Sequence, residues 1–253
     1  MGLFLLGVAG LAMAACTPKP QQAQDDDSYM RAKGYARAPQ ITVVAGSGGT
    51  VTVSGLALPG GRVRFLYGAD RAIGVTADSK GRFKADLPTT AQGGLYDISM
   101  EDTGRQVEAD GRLFVPPAAP QKAVILRAGA PSRPVAHPGP GITLVDYDAA
   151  GAMLVTGVAA PQAAIAIEVD GVSWPKQPRA AADGAFTATC QIPPLEDTAV
   201  TLDITVAAGS ETWNRTIAVS RSPSGGDRIT AVNGGWRVDW VLPGDGMQTT
   251  LVF

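Results

Sequence analysis

The chain has 253 residues, 45% of them hydrophobic, and a formal net charge of −2. That length suits two domains of about a hundred residues each, and the balanced charge excludes the basic footprint that nucleic acid or anionic lipid requires. Glycine (31) and proline (19) are abundant, which favours many short strands joined by tight turns over long helices.

The chain opens on an apolar run, Gly2 to Ala15, followed by Cys16 and then by the polar "TPKP" of Thr17–Pro20. The run is too short for a permanent membrane span, which needs about 20 residues, and has the length of a secretory h-region with small residues, Ala14 and Ala15, at a cleavage point. "LAMAAC" resembles the lipobox of bacterial lipoproteins, with Met13 where Leu is usual. An ordinary cleaved signal or a buried N-terminal strand are the other readings. No Lys or Arg precedes the run, so a start codon upstream of Met1 is expected. The resemblance implies a signal over 1–15, a diacylated Cys16 and anchorage in a membrane. Thr17 directly after the cysteine, rather than Asp, implies outer-membrane sorting. Residues 16–40 are polar and read as a disordered tether, with Asp25, Asp26 and Asp27 as a solvated charge cluster rather than a calcium site.

The body contains an internal repeat. "TVTVSGLALPGGRVRFLYG" from Thr50 aligns with "AMLVTGVAAPQAAIAIEVD" from Ala152, matching Gly55 to Gly157, Ala57 to Ala159 and Pro59 to Pro161. Upstream, "ITVV" at Ile41 matches "ITLV" at Ile142; downstream, Phe83 matches Phe186 and "YDISM" at Tyr96 matches "LDITV" at Leu202. Period-two alternation in Val51, Val53, Val63 and Phe65 reads as half-buried strands, with turns at Pro59-Gly60-Gly61, Ser79-Lys80-Gly81 and Asp183-Gly184. Strands at this spacing read as β-sandwiches. The stretch from Ser54 to Phe83 resembles the tandem bacterial immunoglobulin-like modules of envelope and surface proteins, over Ile41–Val115 and Ile142–Ser220. Copy two departs from the pattern at Gln162, where copy one has Gly60. The expected fold class is all-β. Two tandem immunoglobulin-like sandwiches, 41–130 and 142–222, are separated by a Pro/Gly linker at 131–141. "KAVILRAG" is taken as the last strand of domain one.

The last segment, 223–253, reads as a β-ribbon with turns at Asn233-Gly234-Gly235 and Pro243–Gly246. Alternation puts Trp236, Val238, Trp240 and Leu242 on one face, Arg237 and Asp239 on the other, and Met247, Leu251 and Phe253 together on the final strand. A ribbon of this size is not stable alone. It either packs its tryptophans on domain two or extends one of that domain's sheets, or it docks to a partner through Trp236, Trp240 and Phe253.

Catalytic residues do not emerge. His137, the only histidine, lies in the linker and has no companion for a triad or zinc site. Cys190 falls on an inward-facing series and reads as a small core residue. "AGSGGT" from Ala45 is a hairpin turn, not a phosphate loop. The acids of "DYD", Asp146 and Asp148, resemble those with which some immunoglobulin-like modules bind calcium, but no metal or other cofactor is assigned. The expectation is a non-enzymatic outer-membrane lipoprotein, a structural or adaptor subunit held to the membrane by its lipid and binding another envelope protein. The alternative is a glycan-binding module for peptidoglycan or exopolysaccharide, using Trp174, Trp213, Trp236 and Trp240. No nucleic-acid partner is expected.

Overall fold

The computed structural model describes residues 36–47, 49–68, 70–175 and 178–253. Residues 1–35, which hold the apolar run, Cys16 and most of the segment expected to be a tether, lie outside the described residues. The strands are β1 (Gln40–Ser47), β2 (Thr50–Leu56), β3 (Arg62–Tyr67), β4 (Arg71–Thr76), β5 (Arg82–Pro88), β6 (Gly94–Asp102), β7 (Arg105–Glu108), β8 (Arg112–Val115), β9 (Val124–Leu126) and β10 (Arg133–Pro134). They continue as β11 (Gly141–Tyr147), β12 (Ala152–Val158), β13 (Ile165–Val169), β14 (Val172–Ser173), β15 (Ala185–Gln191), β16 (Val200–Ala208) and β17 (Glu211–Val219). The ribbon is β18 (Arg228–Val232), β19 (Gly235–Val241) and β20 (Met247–Val252). A short 3-10 turn, Pro120–Lys122, lies between β8 and β9. The fold is therefore all-β and antiparallel, as expected.

Domain one sets the sheet β1-β2-β5 against β10-β9-β8-β6-β3-β4, with β7 also paired to β6. Domain two sets β15-β12-β11-β20-β19-β18 against β14-β13-β16-β17. Inward residues of both its sheets, among them Val145, Val155, Ile165, Ile167, Phe186, Ile204 and Val206, make one core. Phe186, Ala188, Cys190 and Ile192 all enter it, as their alternation predicts.

The repeat is visible atom by atom. A Cβ on Gly55 would lie 2.2 Å from the Gln40 carbonyl oxygen and 2.5 Å from Cζ of Phe83. On Gly157 it would lie 2.2 Å from the Gly141 carbonyl oxygen and 2.6 Å from Cζ of Phe186. Each glycine thus gives a cross-strand aromatic the room to lie flat over the backbone, opposite it in register. Both copies bulge at the same point of the first strand, between Ile41 and Val43 and between Ile142 and Leu144. At the next turn Gly60 has φ +73° and Gln162 has φ +62°. Copy two holds the same left-handed conformation without the glycine that takes it without strain.

One feature differs from the sequence reading. The stretch taken as a linker is tied down: Arg133 and Pro134 pair with β9, and Ser132 is buried. The ribbon takes one of the courses set out from the sequence, because β20 pairs with β11 and extends the larger sheet of domain two. Residues Arg37–Phe253 accordingly form one compact unit.

Gly157→Ala should cost about 1–3 kcal/mol through overpacking against Phe186, and Gly55→Ala a similar amount against Phe83. Gln162→Gly should stabilise the chain, since it removes a left-handed side chain that costs roughly 1–2 kcal/mol. Urea unfolding of the three variants reads all of these effects; a destabilised Gln162→Gly variant would refute the strain argument.

Candidate functional site at the junction of the two sandwiches

The runs "RLFV" and "VIL" of β8 and β9 are buried almost throughout, on both faces. Such continuous apolar strands need cover on two sides. Phe114, Val124 and Leu126 find it in Leu144 of β11, Val238 and Trp240 of β19 and Val252 of β20, all in one cluster. Leu95, Ile229, Trp236 and Leu242 pack on its margin. The apolar face of the ribbon is therefore seated against domain one, while its other face serves domain two.

An ionic clasp closes one side of this cluster. Arg112 of domain one holds Asp227, at the start of the ribbon, through two parallel contacts of 2.7 and 2.8 Å, and its Nε lies 2.6 Å from Asp97 of its own domain. Bidentate guanidinium–carboxylate pairs fix orientation as well as distance. Burial alone would raise the Asp227 carboxyl; the Arg112 guanidinium and a hydrogen bond from the Val241 N–H outweigh it and hold the group below its ordinary value.

Asp146 pins the connector. Its carboxylate accepts the Ser132 N–H at 2.9 Å and the hydroxyls of Ser132 at 2.7 Å and Thr250 at 2.6 Å. Gln248 donates a further hydrogen bond at 3.3 Å. Thr250 in turn accepts the Trp240 indole N–H at 3.3 Å, so one chain of donors links the apolar cluster to the connector. Burial pushes the Asp146 carboxyl above its ordinary value despite these hydrogen bonds. With every carboxylate contact supplied by protein donors, Asp146 is used as a structural acceptor. Asp148 accepts the Ala152 N–H in the following turn.

On the opposite face of the ribbon, Arg237 and Asp239 are paired with each other at 2.9 Å. Asp239 also accepts from Thr249 at 2.6 Å, and Arg237 donates to Ser220 at 2.8 Å. The sequence placed these two opposite the tryptophans; the structure adds that Asp239 is buried.

Of the three ribbon residues expected to meet a partner, Trp240 is interior, 1% exposed, and unavailable without opening the junction. Trp236 and Phe253 are half-buried, and each ring already faces a cation: the Lys122 ammonium is 5.9 Å from the Trp236 centroid, the Arg215 guanidinium 4.3 Å from that of Phe253. The ribbon's two tryptophans pack in the cluster shared with domain one; of the courses set out from the sequence, extension of a domain-two sheet is the one taken. Trp174 and Trp213 pack against the domain-two core, so the four tryptophans do not make an exposed row for sugar faces. The signals that sequence reading passed over are the unalternating runs at Phe114 and Val124–Leu126, and the lone charges Arg112 and Asp227.

A cleft of about 650 Å³ opens beside the clasp, lined among others by Asp97, Glu108, Arg112, Asp227, Trp240 and Leu242. Its charged groups are engaged with one another or with neighbours, as Glu108 is with Gln106. Among the described residues no group of three or more His, Cys, Asp and Glu side chains stands together as a metal site. His137 is exposed on the connector. Burial pushes the Cys190 thiol up to about 11, which keeps it protonated at neutral pH and unlike a nucleophile. The arrangement is a mechanical joint.

Trp240→Ala should destabilise the chain by about 3–5 kcal/mol and raise proteolysis between residues 127 and 141, as measured by urea unfolding and limited digestion. Asp146 binds its proton more tightly folded than unfolded. Its contribution is therefore fully present below the ordinary carboxylate range and is lost as pH rises through its raised value. Unfolding measured against pH should show this decline in the wild type and lack it in Asp146→Asn; parallel profiles would contradict the assignment. No protein-family model matches the chain, and no curated protein matches it significantly in sequence.

Proposed function

We propose that this protein is a lipid-anchored, non-catalytic structural or adaptor subunit of the bacterial envelope, which holds another envelope protein at a set distance from an outer membrane. The observation that carries the reading is the shared cluster around Trp240, which joins both sandwiches through the ribbon. Joined domains transmit position, whereas freely hinged ones transmit only tethering; domain motion is the default unless the interface is large and apolar. The sequence supports anchorage, through Cys16 behind its apolar run, and reach, through the polar segment that follows. Sheet edges at the periphery, including β1, β15, β17 and β18, supply surfaces of the kind that take a partner strand.

The test is metabolic labelling with palmitate together with in-cell crosslinking, in the wild type and Cys16→Ser. The wild type should take up label, fractionate with outer membrane and crosslink to one stoichiometric protein. Cys16→Ser should lose label and membrane association. An unlabelled wild type would refute the anchor, and co-sedimentation with cell-wall glycan alone would replace the adaptor by the glycan-binding alternative.

A further inference from the structure

The two copies present the same acceptor edge, yet among the described residues only that of domain two has a strand on it. In domain two the outer edge of β11 is occupied: Leu144, Val145, Asp146 and Tyr147 face Val252, Leu251, Thr250 and Thr249 of β20, and the Phe253 N–H reaches the Thr143 carbonyl at 3.0 Å. In domain one the matching strand is β1, the last of its sheet. Among the described residues no backbone hydrogen bond outside the β1–β2 ladder reaches it. The 3-10 turn Pro120–Lys122 lies beside β1 without such a bond.

The equivalence is close. Val43, Val44, Ala45 and Gly46 stand opposite Ser54, Val53, Thr52 and Val51, as Leu144, Val145, Asp146 and Tyr147 stand opposite Thr156, Val155, Leu154 and Met153. The bulge falls at the same place. The bulge residue makes the same contact in both, from the Thr42 hydroxyl to the Ser54 carbonyl at 3.3 Å and from the Thr143 hydroxyl to the Thr156 carbonyl at 3.1 Å. What differs is cover. Val43 is 52% exposed and its counterpart Leu144 1%; Leu56 is 41% exposed and its counterpart Val158 7%. Two of the few large apolar side chains left in solvent thus lie on β1 and its neighbour β2, at the edge that among the described residues has no strand where its counterpart in domain two has one. Exposed apolar edges are usually blunted by charge or proline, and β1, "QITVVAGS", carries neither.

We propose that β1 is the docking edge of the adaptor, and that it accepts an extended segment of a partner polypeptide. The segment pairs antiparallel to β1 with the alternation of Met247–Phe253, its outward apolar residue covering Val43. The proposal rests on the adaptor reading and supplies its partner's chemistry: an unpaired strand with apolar residues at every second position, recognised through its backbone. A second copy of this chain could supply its β20 only by releasing it from β11 and exposing Leu144.

The test uses the full chain carrying Cys16→Ser and a peptide of sequence MQTTLVF with terminal lysines for solubility. Phe253 bonds to β11 through its own N–H, so by alternation Leu251 and Thr249 also turn their amides to that strand, and Thr250 and Val252 turn theirs away. A peptide N-methylated at the positions of Thr249 and Leu251 should not bind, whereas one methylated at those of Thr250 and Val252 should. At peptide in about hundredfold excess over its Kd, hydrogen exchange at the Val44 and Gly46 amides should slow by roughly a hundredfold, with Val145 and Tyr147 unchanged. Val43→Glu, at an exposed position, should weaken binding without lowering stability. Absent binding, binding indifferent to the methylation pattern, or protection at β11 instead of β1 would overturn the proposal. So would protection of Val44 that appears without peptide and grows with protein concentration, which would make a second copy the occupant. None of these results depends on lipidation or localisation, so failure here leaves the palmitate and crosslinking outcome to judge the adaptor reading separately.

Discussion

Four residues of β11, Leu144 to Tyr147, face four of β20, Val252 to Thr249, and this ladder makes the C-terminal ribbon continuous with domain two. Every other feature of the junction follows from it. A three-stranded ribbon cannot bury two faces alone. Once β20 is fixed to β11, one face of β19 is turned toward the domain-two interior and the other toward domain one. The strands β8 and β9, apolar on both sides, are then covered, and the large side chains of Phe114, Leu126 and Trp240 leave water together. Removing apolar area of that size is the main stabilising term available at the junction.

The polar groups of the ribbon specify how the apolar ones meet. Asp146 is matched to Thr250 across the ladder, and Asp239 to Thr249. Both carboxylates are buried and both are served by threonine hydroxyls at 2.6 Å. A slip of one residue would turn Leu251 away from the core and leave two buried carboxylates without those donors. The network thus penalises the wrong register more than it strengthens the right one. Arg112 and Asp227 add a second constraint at a distance, tying the point where the chain enters the ribbon to domain one.

Much of this was legible in the sequence, for physical reasons that differ by element. Gly55 and Gly157 could be paired from sequence because each stands two residues before the alanine, and four before the proline, that open the same turn in the repeat. The strands of the ribbon and the division of its faces followed from period two in "GWRVDWVL". The sheet that the ribbon joins did not, because strand pairing depends on an edge elsewhere in the chain. The destination of the tryptophans was left open for a related reason: alternation tells which residues share a face, and nothing about what covers it. The absence of alternation in "RLFV" and "AVIL" was the available clue that domain one also had an outward apolar face. The role of Asp146, weighed in the sequence only as a calcium-type acid, was hidden because its donors, from Ser132 to Thr250, are brought in by the fold. Gln162 shows the opposite case, where a departure from the repeat marked a position at which the backbone stayed unchanged.

The central claim is that the two sandwiches move as one body through the ribbon. Nitrogen-15 relaxation on residues 37–253 tests it most directly, comparing amides of β2 and β5 with those of β13 and β16. The account predicts that the amides of both domains fit one common rotational diffusion model. Separate, shorter correlation times for the two sandwiches would show that the cluster around Trp240 does not hold them, and would contradict the account.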